Sequence, residues 1–143
     1  MNKAVIIYWS GTGNTEKMAY EVAEGAKSNT AMEVTVMKVE DASKEDVVNA
    51  DAVALGCPSM GAEVLEEEEM EPFVEALSDV DWTNKPLGLF GSYDWGDGEW
   101  MRDWEARMKE YGAGLVQEGL LVHLEPSEED NNNCRLLGEK LVK

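Results

Sequence analysis

Short apolar segments alternate along this chain with segments in which apolar residues recur every three or four positions. The short apolar segments lie at residues 3–9, 34–39, 52–56, 87–90 and 115–123. Segments of this length and character predict β-strands. The first and third are almost continuously apolar, which is typical of parallel strands covered on both faces.

The segments with three-to-four-residue spacing predict helices that follow the strands. These helices are expected at residues 14–28, 43–48, 70–77, 100–108 and 134–141. Five strands alternating with five helices, without an internal repeat, predict a three-layer, doubly wound α/β fold around a five-stranded parallel sheet. At 143 residues the chain is expected to form a single domain spanning 1–143.

Composition narrows the classes of molecule that the chain is expected to bind. Thirty acidic against twelve basic residues give a formal net charge of −18, which disfavours nucleic acid and anionic membrane surfaces and favours basic protein partners. No apolar run is long enough to span a membrane, and the amino terminus does not resemble a signal peptide, so a cytoplasmic location is expected. Cys57 and Cys134 do not form a CxxC pair, which indicates reduced thiols.

In a doubly wound sheet, ligands bind beyond the carboxyl ends of the strands. Three predicted loops lie there: residues 10–15, 58–66 and 92–99. The first loop combines hydroxyl side chains with two glycines before a helix, which favours a phosphate held by backbone N–H groups and neutral donors. Glu16 and Lys17 break the P-loop and dinucleotide-binding patterns. An ordinary strand-to-helix turn with a Thr or Asn cap is the alternative interpretation.

The third loop contains aromatic residues among glycines. Tyr93 and Trp95 are the candidates to stack on a planar heterocycle, whereas Trp100 and Trp104 are expected to pack in the core. The middle loop offers a thioether, a glycine and a carboxylate that can close the other face of the ring. The acidic run at residues 66–69 is interpreted as a solvated face rather than a metal site.

Three motifs occupy these loops in order: WSGTGNTE, GCPSMG and GSYDWGDGEW. Over essentially its whole length the sequence resembles the short-chain flavodoxins of the clostridial type. The resemblance implies one non-covalent FMN, strand order 2-1-3-4-5, and service as a low-potential one-electron carrier without enzymatic turnover. The cofactor-binding residues that follow from it are Ser10, Gly11, Thr12, Gly13, Asn14, Thr15, Ser59, Met60, Gly61, Ala62, Glu63, Gly91, Ser92, Tyr93, Asp94, Trp95 and Gly96.

The resemblance also implies a role for individual residues. Trp95 and Met60 are expected to flank the isoalloxazine, and Glu63 to accept a hydrogen bond from its pyrimidine edge. Cycling is expected between a neutral semiquinone, supported by a peptide flip at Gly61, and an anionic hydroquinone. The turn expected in the oxidised protein, type II, would force Ala62 to a positive φ, which costs about 1–2 kcal/mol. Ala62 is therefore expected to disfavour the oxidised turn and to raise the oxidised/semiquinone potential.

Other functions are less consistent with the residues. A small FMN-dependent quinone or nitro reductase is the alternative, but it would need a substrate pocket over the flavin. A phosphoacceptor receiver domain would need an acidic pair after the first strand, where the chain has Tyr8 and Trp9. His123 and Cys57 are expected to be structural. The expected partners are redox proteins with basic docking patches, and the carrier is expected to be a monomer.

Overall fold

A computed structural model describes residues 2–143 as one parallel sheet flanked by helices. The strands are β1 (Asn2–Tyr8), β2 (Met32–Lys38), β3 (Ala52–Gly56), β4 (Pro86–Tyr93), β5 (Gly114–Leu115) and β6 (Leu120–His123). Their order is β2-β1-β3-β4-β5, with β6 also paired to β4. All pairs are parallel. The expected doubly wound topology and strand order 2-1-3-4-5 are confirmed.

The fifth strand departs from the prediction because it is interrupted. Residues 116–119 leave the ladder between β5 and β6. There the Gly119 N–H donates to the Glu105 carboxylate at 2.7 Å, and a Cβ on Gly119 would lie 2.4 Å from Met101 side-chain atoms. At Gly119, strand pairing is therefore replaced by close contact with the helix that carries Met101 and Glu105.

Strand β4 is also longer than the apolar pattern indicates. Gly91, Ser92 and Tyr93 pair with Leu121, Val122 and His123 of β6, although the sequence predicts Ser92 and Tyr93 to lie in the third loop. The third loop consequently begins at Asp94. Apolar content alone misses this extension because Ser92 and Tyr93 are strand residues with polar groups.

Five helices cover the sheet. They are α1 (Asn14–Ala26), α2 (Lys44–Val48), α3 (Met70–Ala76), α4 (Glu99–Glu110) and α5 (Glu128–Leu141), with 3₁₀ turns at Val39–Asp41 and Leu77–Asp79. Helix α5 begins well before its apolar positions, because Ser127 and Asp130 form a reciprocal capping box ahead of a polar first turn. No helix within residues 2–143 is long and apolar enough to cross a membrane.

Strand β1 shows that both faces of the sheet are buried. Val5 and Ile7 contribute to one apolar cluster, which includes Trp100 and Trp104, whereas Ala4 and Ile6 contribute to the other cluster beneath α1 and α5. Cys57 lies in the first cluster and Cys134 in the second. Burial raises the pKa of both thiols to about 12, so the expectation of two unpaired, unreactive thiols is met by the structure.

Glu66 corrects the interpretation of the acidic run as a solvated face. Its side chain is buried, and its carboxylate accepts hydrogen bonds from the N–H groups of Glu68, Glu69 and Met70 at 2.9, 2.7 and 2.9 Å. Burial acts to raise the pKa of Glu66, but these three bonds outweigh it and lower the pKa. The carboxylate therefore anchors the start of α3, while Glu67, Glu68 and Glu69 are exposed.

A substitution at Gly138 tests the close contact between α1 and α5. A Cβ on Gly138 would lie 2.0 Å from the Val22 carbonyl oxygen, so we expect Gly138→Ala to lower the free energy of unfolding by about 2 kcal/mol despite its gain in helix propensity. Gly114→Ala is the control, since nothing lies within 4 Å of its Cβ position, and it should change stability by less than about 0.5 kcal/mol. Urea unfolding measures both; equal effects would contradict the close contact.

Glu66→Gln is expected to remove a pH-dependent part of the stability. Because the folded pKa of Glu66 is lowered, its stabilisation is fully present above the unfolded value of about 4.3 and is lost as the pH falls toward the folded pKa. We expect a loss of about 1–2 kcal/mol at pH 7 that shrinks below pH 4. Exposed Glu67→Gln serves as the control in urea unfolding at each pH. A difference from wild type that does not vary with pH would contradict this role.

Candidate functional site

The carboxyl edge of the sheet holds a cleft of about 230 Å³ between the loops. Its walls come from all three predicted loops and from the segment after β6. The lining residues are Gly11, Thr12, Asn14, Pro58, Ser59, Met60, Ser92, Tyr93, Asp94 and Leu124. The structure thus brings together segments that are distant in sequence, at the edge where a parallel sheet binds its ligands.

The first loop is organised by the Ser10 hydroxyl. Its Oγ accepts hydrogen bonds from the N–H groups of Gly13 at 3.1 Å and Glu16 at 3.2 Å. Gly13 is the residue before α1 and has φ +98°, so the alternative interpretation of this loop, with a Thr or Asn cap, is wrong. The Ser10 side chain instead accepts from the N–H groups at the helix start. The amides of Asn14 and Thr15 belong to the first helical turn, which lacks helical carbonyl partners.

Thr15 and Ser92 join the first helix to β4. Thr15 is 1% exposed, and its Oγ1 lies 2.8 Å from the Ser92 Oγ. The Ser92 N–H also donates to Thr15 Oγ1 at 3.4 Å. The Thr15 side chain is therefore engaged within the protein, and the part of Thr15 suited to bind a phosphate is its backbone N–H.

The middle loop is a three-residue turn at residues 61–63. Met60 and Val64 close it by exchanging N–H to carbonyl bonds of 2.9 and 3.0 Å. Gly61 has φ +46° and Glu63 has φ +56°, whereas Ala62 does not have a positive φ. The structure thus contains the form of the turn that places the left-handed conformation on glycine rather than on Ala62.

The two aromatic candidates at the third loop differ in exposure. Trp95 is 59% exposed. The ring of Tyr93 instead packs against Trp100 and His123, with centroid distances of 5.8 and 5.0 Å. Trp95 is consequently the side chain available to stack on a flat ligand, while Tyr93 forms part of the cleft wall.

Gly91 does not lie in a loop or line the cleft. It is buried inside β4, and a Cβ there would lie 2.1 Å from the Cys57 carbonyl oxygen. Its glycine identity is explained by the close approach of β3 and β4. A direct cofactor contact was expected for Gly91, and the structure assigns this residue to strand packing instead.

Glu63 and Gly96 connect the middle loop to the third loop. Gly96 has φ +92°, and a Cβ at this position would lie 2.3 Å from Glu63 Oε1. That oxygen is buried and has no hydrogen-bond partner among the residues that the structure describes. A buried carboxylate oxygen without a donor is costly, so this arrangement suits a ligand that supplies an N–H group.

The last residue of β6, His123, and the residue after it, Leu124, were not placed at the site by sequence reasoning. The ring of His123 makes a hydrogen bond of 2.9 Å through Nε2 to the Asp94 carbonyl. Leu124 lines the cleft with φ +61°, and its N–H donates to the Tyr93 carbonyl at 2.9 Å. Their position at the carboxyl end of a strand was the available signal. Pro58 also lines the cleft.

The site is electrostatically negative. No lysine or arginine lines the cleft within residues 2–143. Of the nearby cations, Arg102 bonds the Asp97 carbonyl and carboxylate at 2.9 and 3.1 Å, and Lys17 pairs with Glu125 at 3.1 Å. Both cations are thus beside an acidic group, and recognition of an anion here depends on neutral donors and the start of α1.

Comparison with known proteins matches the family model for flavodoxins to residues 6–138. The chain is 47% identical to a flavodoxin of Clostridium beijerinckii, over 96% of this chain and 97% of the relative. It is 41% identical to a flavodoxin of Megasphaera elsdenii, over 96% and 97%. The solution structure of two-electron reduced Megasphaera elsdenii flavodoxin superposes with a TM-score of 0.80 at 39% identity, covering 97% of this chain and 98% of that one.

Flavodoxins bind FMN, and the residues present fit that group. The first loop offers hydroxyl groups and helix-start amides for a phosphate, Trp95 offers a free aromatic face, and Glu63 offers a buried acceptor without a donor. The relatives that match nearly the whole chain are flavodoxins, which are electron carriers rather than enzymes. The chain belongs to the flavodoxin family of FMN-binding electron-transfer proteins.

Proposed function

We propose that this chain, as one domain over residues 1–143, is a low-potential one-electron carrier that cycles its FMN between the neutral semiquinone and the anionic hydroquinone. FMN supplies the redox chemistry, and the protein sets the potentials by binding each redox state with a different strength. The observation that carries the proposal is the acidic cleft without a lining lysine or arginine among residues 2–143. Such a site stabilises an added negative charge poorly.

The phosphate of FMN belongs in the first loop. Thr12 and Asn14 line the cleft, Ser10 holds the loop in shape, and the amides at the start of α1 point toward the same end. Gly11 and Gly13 let the backbone approach closely. Neutral donors at a helix start suffice for a phosphate, and they add no basic side chain beside the ring.

The isoalloxazine belongs between the middle and third loops. Met60 lines the cleft on one side, and Trp95 stands exposed on the other. Glu63, held against Gly96, is the acceptor for the pyrimidine edge. Ser59, Ser92, Tyr93 and Asp94 complete the walls, with Ser59 fixed by its N–H bond to the Ser92 carbonyl at 3.0 Å.

The turn at residues 61–63 favours the one-electron state. Of its two positive φ angles, at Gly61 and Glu63, the first lies on a glycine, which accepts either direction of the peptide without steric cost. In the opposite orientation Ala62 would take the positive φ, at a cost of about 1–2 kcal/mol. Ala62 therefore disfavours the turn of the oxidised protein and raises the first potential.

The surface around the cleft fits transient redox partners with basic docking patches. Trp95 and Leu124 expose apolar area at the cleft, within a chain of net charge −18. Apolar contact surrounded by one sign of charge favours fast, oriented and short-lived association with basic proteins. A monomer in the cytoplasm, without a nucleic acid partner, is consistent with this role.

Anaerobic stepwise reduction of the FMN-loaded protein tests the proposal. Because the first reduced state is favoured and the second charge is repelled, we expect a blue neutral semiquinone to accumulate before the second electron enters at low potential. Visible absorption during the titration measures this. Direct two-electron bleaching would contradict one-electron cycling, and failure to bind FMN would contradict the assignment of the cleft.

Two charge-removing variants test whether the acidic cleft lowers the second potential. Asp94 lines the cleft, so Asp94→Asn should raise the second potential by tens of millivolts, on the order of 30 mV for one unit charge nearby. Glu33→Gln removes an exposed charge at the amino end of β2, on the opposite edge of the sheet, and should change the potential much less. Equal shifts would attribute the low potential to overall charge alone.

Ala62→Gly is expected to lower the oxidised/semiquinone potential. Glycine removes the penalty of positive φ from the oxidised turn, and 1–2 kcal/mol corresponds to up to about 40–90 mV for one electron. Ala62→Ser keeps the Cβ and should leave the potential near its wild-type value. Potentiometric titration measures all three proteins. An unchanged potential in the glycine variant would remove Ala62 from the mechanism.

A further inference from the structure

Tyr8, the last residue of β1, is bonded to an acidic side chain at the start of α1. Tyr8 is 3% exposed, and its hydroxyl donates a hydrogen bond of 2.6 Å to the Glu16 carboxylate. Burial, together with the adjacent carboxylate, raises the pKa of Tyr8, so the hydroxyl stays protonated and acts as the donor. Glu16 lies in the first turn of α1, directly after the loop that we propose to bind the phosphate of FMN. The bond thus joins the sheet to a negative charge beside that loop.

An acidic residue at this position of a helix ordinarily bonds the helix start. Glu16 is the third residue of α1, and a carboxylate there reaches back to the N–H of the residue before the helix in a capping box. Two other helices of this chain have that arrangement. The Ser43 N–H donates to the Asp46 carboxylate at 2.8 Å before α2. The Ser127 N–H donates to the Asp130 carboxylate at 2.9 Å before α5. A released carboxylate at Glu16 is therefore expected to turn toward the helix start.

In α1 both partners of that bond are engaged elsewhere. The Gly13 N–H donates to the Ser10 hydroxyl at 3.1 Å, and the Glu16 carboxylate accepts from Tyr8. The Tyr8 ring also lies against Tyr20, with ring centroids 6.4 Å apart. Tyr20 is one turn beyond Glu16 on the same side of α1. The Tyr8 side chain therefore lies along the flank of the first two turns, and it holds the carboxylate there.

We propose that Tyr8 is a positioning residue for phosphate binding: its hydroxyl holds the Glu16 carboxylate on the flank of α1 and so keeps the start of the helix free for the phosphate of FMN. A carboxylate and a phosphate compete for the positive end of a helix and repel each other. Residues 10–15 include no lysine or arginine to offset that repulsion, so the position of this one negative charge affects how well the neutral donors bind. The inference rests on the proposed binding of the phosphate in the first loop.

Loss of the Tyr8 hydroxyl should weaken the binding of the phosphate selectively. Tyr8→Phe keeps the buried ring and releases the Glu16 carboxylate, which can then turn toward the helix start. We expect the Kd for FMN to rise about three- to tenfold, which is the size of the repulsion between two hydrated charges at close range. Riboflavin is FMN without the phosphate, so it should bind Tyr8→Phe and the wild type equally well.

Fluorescence titrations with FMN and with riboflavin test the proposal in a double-mutant cycle of Tyr8→Phe and Glu16→Gln. Glu16→Gln alone should change the Kd for FMN less than about twofold, because its charge is already held aside, and in that background Tyr8→Phe should also have less than about a twofold effect. Tyr111→Phe is the matched control: the Tyr111 hydroxyl accepts from Arg107 at 2.9 Å, at the end of α4 remote from the third loop. Equal losses of FMN and riboflavin binding in Tyr8→Phe, or the same loss with and without the Glu16 charge, would overturn the proposal.

The salt dependence of FMN binding separates a change in charge from a change in packing. Residues 11 and 12 of the first loop are exposed, so salt screens a charge beside them. Between about 0.05 M and about 1 M salt, the difference in Kd between Tyr8→Phe and the wild type should shrink to less than about twofold. A difference that does not vary with salt would attribute the loss to packing and overturn the proposal. If the wild-type protein fails to bind FMN, the proposed function fails; if it binds FMN and the two substitutions act additively, only the role of Tyr8 fails.

Discussion

The close approach of β3 and β4 at Cys57 determines where the cofactor loops stand. The Cys57 N–H donates to the Phe90 carbonyl at 3.1 Å, and its own carbonyl accepts the Trp100 indole at 3.2 Å. Gly91 lies so near this carbonyl that a side chain has no room. The backbone of this one residue thus fixes the start of the middle loop, the end of β4 and the first turn of α4. Any added atom at Gly91 would displace all three.

Strain is concentrated where the cofactor binds. Within residues 2–143, three residues other than glycine have positive φ, and two of them, Glu63 and Leu124, are at the cleft region. Such conformations persist only where surrounding contacts hold them. For Leu124 the holding contact is its bond to the Tyr93 carbonyl. For Glu63 it is the pair of bonds between Met60 and Val64.

Sequence reasoning works for the layers and the loops because burial and the alternation of strands and helices follow local patterns, whereas the strand order follows from the family resemblance. Apolar runs identify β1 and β3, and glycine-rich endings identify where ligands lie. It fails for Glu66, because nothing in a run of four glutamates distinguishes the one whose carboxylate turns back onto the helix amides. It also fails for His123, whose contact with Asp94 joins residues 29 positions apart. Such contacts depend on strand register, which a single sequence does not specify.

The site has to bind the phosphate of FMN, an anion, in an acidic protein, and it also has to keep positive charge away from the flavin ring. Its geometry meets these two requirements with different groups. In the site that we propose, the phosphate is bound by backbone amides and hydroxyl groups, whose dipoles act at hydrogen-bond contact and fade within a helical turn. The acidic side chains act at longer range on the ring. A lysine or arginine in the first loop would serve the phosphate better, but its charge would also stabilise the reduced ring. The neutral loop around Ser10 therefore suits the binding of FMN without opposing the low potential that we propose.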